Sequence, residues 1–200
     1  MFITCLDLEG VLVPEIWIAF AEETGIPELK RTTRDEPDYN KLMNYRLNIL
    51  REHGLGLKEI QETISKIDPL PGAREFLDKL KEITQVIIIS DTFTQFAKPL
   101  MKKLGWPTIF CNELEVAEDG EITGFKMRVE QSKLSTVKAL QSIGFDTIAS
   151  GDSYNDLGMI QASKAGFLFR STEQIKADHP ELPAYETYEE LLAAIKDAMK

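Results

Sequence analysis

Cysteine is scarce in this chain. Cys5 and Cys111 are the only two in 200 residues. They form neither a disulfide framework nor a paired thiolate site for a metal, and Cys5 lies inside an apolar run as a buried thiol would. A reducing, cytoplasmic setting is therefore the expectation. The two histidines, His53 and His179, are isolated and read as surface or turn residues. Long hydrophobic runs are missing too. No apolar stretch is long enough to span a bilayer, and no basic segment followed by a long apolar one opens the chain, so neither membrane insertion nor export is expected. Positive charge is in deficit: 23 Lys and Arg face 33 Asp and Glu, a formal net charge of −10. Such a chain is a poor nucleic-acid binder. A small phosphorylated ligand would need local cations set against the global field. Internal repeats and low-complexity segments are also lacking. What remains is 43% hydrophobic content, enough for the core of one domain with a modest insertion.

Short β-rich runs alternate with helical patterns. Strands are expected at 2–6, 85–89, 108–111, 147–150 and 166–169, and helices at 72–83, 94–104, 133–143, 154–162 and 188–199. Continuous runs such as VIII point to strands buried on both faces. The alternation predicts an α/β fold, a Rossmann-like parallel sheet covered by helices. Between Glu113 and Arg128, EDGEITG reads as a hairpin turn. The segment 14–67 differs. It carries three helical patterns, at 14–24, 39–53 and 57–65, with joints at GIP and HGLG and no strand. Residues 1–13 and 68–200 are thus assigned to the α/β core and 14–67 to a small helical cap inserted after strand one.

Ligands of open parallel sheets collect at the carboxyl ends of the strands. Strand one, in LDLEGVLVPE, delivers Asp7 and Glu9, which project to the same side of an extended chain. IISDTF delivers Ser90 and Asp91. GDSYND delivers Asp152, Asn155 and Asp156, and Lys133 opens the preceding helix. Carboxylates gathered this closely require a cation, and oxygen donors favour Mg²⁺. The serine, backbone N–H groups and the lysine suit phosphate oxygens.

The order Asp-x-Glu-Gly-Val, strand-end Ser, Lys, Gly-Asp-x-x-x-Asp resembles the haloacid dehalogenase-like superfamily of aspartyl-phosphate phosphatases along the whole chain. The resemblance is closer to phosphoserine phosphatases, and within them to the bifunctional phosphoserine phosphatase/homoserine phosphotransferase type. It implies Asp7 as nucleophile and Glu9 as general acid/base. It further implies Mg²⁺ on Asp7, Asp152 and the Glu9 backbone carbonyl, with Asp156 behind them. Ser90, Lys133 and Asn155 would meet phosphoryl oxygens or substrate. Lys126, Arg128 and Lys138 are neighbours that compete for the assignment of Lys133. Asp91, where plain phosphoserine phosphatases carry glycine, is grouped with the binding residues without a defined role.

The helical insertion would select substrate and exclude water. For L-phosphoserine, the resemblance implies Glu15 and Arg46 as the candidates to meet the ammonium and the carboxylate. Water or homoserine would be the acceptor. The phenylalanines and tryptophans, including Trp17 and Trp106, are expected in the core, and a homodimer is compatible with the acidic surface. Another small phosphomonoester is the alternative substrate. A phosphorylatable receiver domain is disfavoured because its aspartate lies on a middle strand and it has no such insertion. A metal-free dehalogenase is disfavoured because the GDSYND acids would gather around nothing.

Overall fold

The structure, a computed structural model, describes residues 1–32, 35, 36 and 38–200. Residues 33, 34 and 37, inside the proposed insertion, lie outside the described residues. The strands are β1 (Phe2–Leu6), β2 (Gln85–Phe93), β3 (Thr108–Val116), β4 (Ile122–Lys126), β5 (Asp146–Gly151), β6 (Ala165–Phe169) and β7 (Ala184–Tyr185). The helices are α1 (Ile16–Thr24), α2 (Tyr39–Glu52), α3 (Leu57–Lys66), α4 (Ala73–Lys81), α5 (Thr94–Lys103), α6 (Ser132–Ser142), α7 (Leu157–Ala162), α8 (Glu173–Asp178) and α9 (Tyr188–Ala198). The sheet order is β4-β3-β2-β1-β5-β6-β7. Every pairing is parallel except β3 with β4.

The strand order itself locates the site. From β1 the chain builds outward through β2, β3 and β4, then returns to β5 on the other side of β1. A crevice opens where the direction of winding reverses, at the carboxyl end of the first strand. Asp7 is the residue that follows β1.

Strand alternation divides the interior into two layers. Leu6, Ile88, Ile148 and Phe169 pack with Phe76, Leu77, Leu100 and Leu191 on one face. Ile3, Cys5, Ile87, Ile89 and Leu168 pack with Val137, Met159, Ile160 and Ile175 on the other. This explains the unbroken VIII run: neighbours point to opposite faces and both faces are covered. Each such side chain, fully buried, contributes about 1.5–3 kcal/mol.

Helices α1 to α3 lie between β1 and α4 in sequence, with a 3₁₀ turn at Pro27–Lys30. They pack on α5 and on the β3–β4 hairpin. The Leu57 N–H donates to the Gly120 carbonyl at the hairpin tip at 2.9 Å, and Arg51 meets Glu121 at 2.8 Å.

Several boundaries differ from expectation. β2 runs on to Phe93 through a register shift after Ile89. β7 and α8 were not read from sequence, being two and six residues long, too short for periodicity to register. Trp106 is a correction. It is 63% exposed rather than in the core. It follows Gly105, has a positive φ of 55°, and its N–H closes the end of α5 on the Met101 carbonyl. That left-handed cap turns its side chain outward.

Candidate active site

The end of β1 is held to its neighbour by the Asp7 N–H, which donates to the Ser150 carbonyl at 3.1 Å. The Asp7 carboxylate accepts from the Leu8 N–H at 2.7 Å and meets Lys133 Nζ at 2.9 Å. Lys133 also meets Asp156 at 2.5 Å, and all three side chains are almost wholly buried. Lys126 and Lys138 are exposed. Arg128 spends its guanidinium on the Ser132 carbonyl and Thr136 Oγ1. Lys133 is therefore the cation at the strand ends.

Asp156 is a structural hub. Its second oxygen accepts from the N–H groups of Asp152 and Ser153, at 3.1 and 3.0 Å. Two glycines make room for these acids. Gly10 has φ +77°, and a Cβ there would stand 2.5 Å from the Asp152 carboxylate. A Cβ on Gly151 would collide with the Asp156 side chain. The glycines of LEGV and SGDS are thus spacers that let carboxylates approach the backbone.

One oxygen from each of Asp7, Asp152 and Asp156 lies within 4.8 Å of the others. Burial first, then Asp156, raises the Asp7 carboxyl well above the ordinary carboxylate range, against the pull of Lys133. Burial and Asp156 likewise push Asp152 up to about 7. Burial opposes the Lys133 charge, but Asp156 and Asp7 outweigh it and hold the ammonium well above its usual range. One lysine among three carboxylates leaves negative charge uncompensated. The donors are all oxygens and converge, so the set fits Mg²⁺ chemically.

Glu9 does something the sequence did not show. Its Oε2 accepts from the Ile16 N–H at 2.9 Å, and so caps the first turn of α1, whose own preceding residue Glu15 makes no side-chain cap. Burial, then the nearby Glu15, lifts Glu9 to about 7.

A cavity of about 110 Å³ joins these groups to the helical segment. Its walls bring together Asp7, Glu9, Glu15, Arg46, Ser90, Asp91, Lys133, Asp152 and Asn155. Asp156, fully buried, stands behind the wall. Ser90 is buried, its Oγ accepting from the Thr92 N–H at 3.2 Å. Asn155 is exposed and donates to Asp91 at 3.1 Å. Arg46, on α2, is 5% exposed. Its guanidinium lies 4.6 Å over the Trp17 ring and donates to the Arg31 carbonyl at 2.7 Å, and its Nε has no partner among the described residues.

Among the wall residues that sequence reasoning did not assign to the site, two aromatics stand out. Trp17 is buried as expected, yet it also lines the cavity and supports Arg46. Tyr39 lines the cavity and donates to the Asp91 carbonyl at 3.0 Å. An aromatic on an amphipathic helix carries no sequence mark that distinguishes core from wall.

Comparison with known proteins follows the same lines. Residues 5–164 match the model of the haloacid dehalogenase-like hydrolases. A phosphoserine phosphatase ThrH from Pseudomonas aeruginosa is 53% identical over 191 residues, covering 96% of this chain and 93% of its own. A phosphoserine phosphatase from Pseudomonas syringae pv. tomato is 51% identical, covering 94% and 80%. Among solved structures, a substrate-bound phosphoserine phosphatase superposes with a TM-score of 0.79 at 22% identity, covering 96% of this chain and 97% of its own, and shares the fold. A domain match over most of the chain, two relatives above 50% identity and acids converging at the reversal point of the sheet agree: the chain belongs to the haloacid dehalogenase-like hydrolase family.

Proposed function

We propose that this protein is an Mg²⁺-dependent phosphoserine phosphatase, working through an aspartyl-phosphate on Asp7, with the helical segment 14–67 as the cap that selects substrate. The observation that carries the substrate class is Arg46. A buried guanidinium with an unpartnered Nε, facing the cavity that also holds Asp7, calls for an anion from outside the chain. A carboxylate suits its planar fork. Glu15 at the cavity mouth supplies the charge that an adjacent ammonium needs. The phosphoryl group then sits at the strand ends, against Ser90 and Lys133. The names of the two Pseudomonas relatives support the same substrate.

Each residue then has a task. Asp7 attacks phosphorus in line, forming an Asp7 O–P bond as the serine O–P bond breaks. Glu9, lifted by burial so that much of it is protonated near neutrality, gives its proton to the departing serine oxygen. The resulting carboxylate takes a proton from the incoming water, whose oxygen bonds to phosphorus as the Asp7 O–P bond breaks, releasing phosphate and freeing Asp7. Lys133 offsets the charge on Asp7 and on the phosphoryl oxygens, and Asp156 holds Lys133. Asp7, Asp152 and the Glu9 carbonyl would hold Mg²⁺, which supplies the positive charge that lets an anionic nucleophile meet an anionic phosphate. Helix α1, tied to Glu9 through its first N–H, and the wall of Trp17 and Arg46 exclude bulk water.

The second acceptor we propose is homoserine, whose hydroxyl would take the place of water and yield phosphohomoserine. Glu9, one methylene longer than aspartate, would set the balance between the two acceptors. A reducing cytosol is the proposed setting, consistent with two free thiols.

The test is to incubate the protein with L-phosphoserine and Mg²⁺, with and without homoserine, and to quantify phosphate, serine and phosphohomoserine. Serine and phosphate are expected in both, with phosphohomoserine added in the second. Serine with no phosphohomoserine refutes the transfer, and no serine at all refutes the substrate. An unchanged transfer-to-hydrolysis ratio in Glu9→Asp would refute the role given to the longer side chain.

A further inference from the structure

Asp91 stands in the cavity wall, yet both its carboxylate oxygens are already engaged by protein. Oδ1 accepts from Ser132 Oγ at 2.7 Å, and Oδ2 accepts from Asn155 Nδ2 at 3.1 Å. Its main-chain carbonyl accepts twice more, from Tyr39 Oη at 3.0 Å and Asn112 Nδ2 at 3.1 Å. Four side chains from four different elements thus converge on one residue: α2, β3, the first residue of α6, and the turn after β5. Those elements carry what the site uses. Ser132 immediately precedes Lys133. Asn155 lies between Asp152 and Asp156. Ser90 immediately precedes Asp91 itself.

The backbone around Asp91 has little other support. The pairing of β2 with β3 is regular to Ile89 and resumes only at Phe93, so the ladder is interrupted where Ser90 and Asp91 stand. On the α6 side, Gln131 before Ser132 has a positive φ of 47°. A second cavity, of about 910 Å³, adjoins the first and shares Tyr39, Asp91, Lys133, Ser153 and Asn155 with it. These segments therefore border two cavities and depend on side-chain ties to keep their spacing.

We infer that Asp91 is a positioning residue, which binds no substrate and uses its two carboxylate oxygens to fix the start of α6 and the 152–156 turn against the Ser90 strand end. Charge is secondary to geometry in this role. An asparagine at 91 could still accept from Asn155 with its oxygen and donate to Ser132 Oγ with its nitrogen, since a serine hydroxyl serves either way. An alanine could do neither. The catalytic consequence rests on the phosphatase reading above; the positional one does not.

The experiment compares Asp91→Ala and Asp91→Asn with the natural protein, in the presence of Mg²⁺. Asp91→Ala should lower kcat for phosphoserine by about tenfold or more, through misplacement of Lys133 and Asp152, with KM changed less than kcat. Asp91→Asn should recover most of that loss. Ser132→Ala and Asn155→Ala should lose less in the Asp91→Ala background than alone, because their partner is already gone. Hydrogen exchange supplies a readout independent of turnover: amides of 130–136 and 152–156 should exchange faster in Asp91→Ala and near the natural rate in Asp91→Asn. A KM rise at unchanged kcat, equal in both variants, would make Asp91 a substrate ligand by charge and overturn the inference. So would unchanged exchange in Asp91→Ala. If the natural protein hydrolyses no phosphoserine while the exchange pattern appears as expected, the functional reading has failed and the positional role stands.

Discussion

Two buried cations face one cavity, and the fold treats them differently. Lys133, on the α/β floor, is held between Asp7 and Asp156 at 2.9 and 2.5 Å. Among the described residues, Arg46, in the helical roof, has no carboxylate within ion-pair distance; an indole face, a carbonyl and a methionine sulfur surround it, and its Nε is unpartnered. Burial lowers its affinity for the proton, partly offset by Tyr39 and Glu9. The floor is charge-matched or over-supplied with anions before any ligand arrives, whereas the roof is short of one. On the proposed reading, the floor suits phosphoryl chemistry with a metal and the roof suits the substrate's own carboxylate. Four perturbations separate the two halves.

The largest effect belongs to the floor. Asp7→Asn should cut phosphate release by on the order of 10⁴-fold or more, as loss of a nucleophile does, and leave a cooperative melting transition. Retained turnover would dismiss covalent catalysis.

Chelation is the next. EDTA should stop turnover and Mg²⁺ should restore it. Stability carries the same signature. Glu9 and Asp152, ordinarily at 4.5 and 3.8, are both raised to about 7. A carboxyl that holds its proton more tightly when folded contributes stability fully present below its unfolded value. That contribution is lost as the pH rises through about 7. Metal-free protein should therefore melt lower at about pH 8 than at about pH 5, and Mg²⁺ should raise Tm more at the higher pH. Scanning calorimetry with and without Mg²⁺ measures both, and a metal-free Tm that rises with pH would contradict the floor's charge balance.

The roof gives smaller, selective effects. Arg46→Ala should raise KM for phosphoserine by about 10- to 100-fold, the loss of a hydrogen-bonded charge pair. It should leave hydrolysis of phosphoethanolamine, which lacks the carboxylate, nearly unchanged. Equal losses on both substrates would move Arg46 from selection to structure.

Trp17→Leu keeps an apolar side chain but removes the π face under the guanidinium. It should raise KM for phosphoserine about three- to tenfold, the scale of a desolvated cation–π contact. Steady-state kinetics on the same two substrates would show the change on phosphoserine alone.

The floor was far more legible in the sequence than the roof. Asp7, Ser90 and Asp152 each end a run whose apolar pattern marks a buried strand. Their side chains had to meet at one edge once the strands were parallel. Lys133 followed as the opening of the helix between hairpin and β5. The roof's helices were visible because amphipathic spacing survives without tertiary context, whereas Arg46 came only from the family resemblance. Its contacts were not. Trp17 reads as core on periodicity and is core, but its other face is a cavity wall. Glu9 was read for its chemistry, and its bond to the Ile16 N–H depends on how α1 returns over the strand end. Asp91 has partners 41 and 64 residues away, a distance over which no local pattern speaks. Trp106 went outward because a left-handed cap outweighed hydrophobicity at one position.

The most direct test of the central claim is a rapid acid quench of the protein turning over L-phosphoserine with Mg²⁺, followed by peptide mass spectrometry. Phosphate bound covalently to the peptide that contains Asp7, lost on treatment with hydroxylamine and absent in Asp7→Asn, is the predicted result. Turnover at full rate with no phosphorylated peptide, or with phosphate on any other residue, would contradict it.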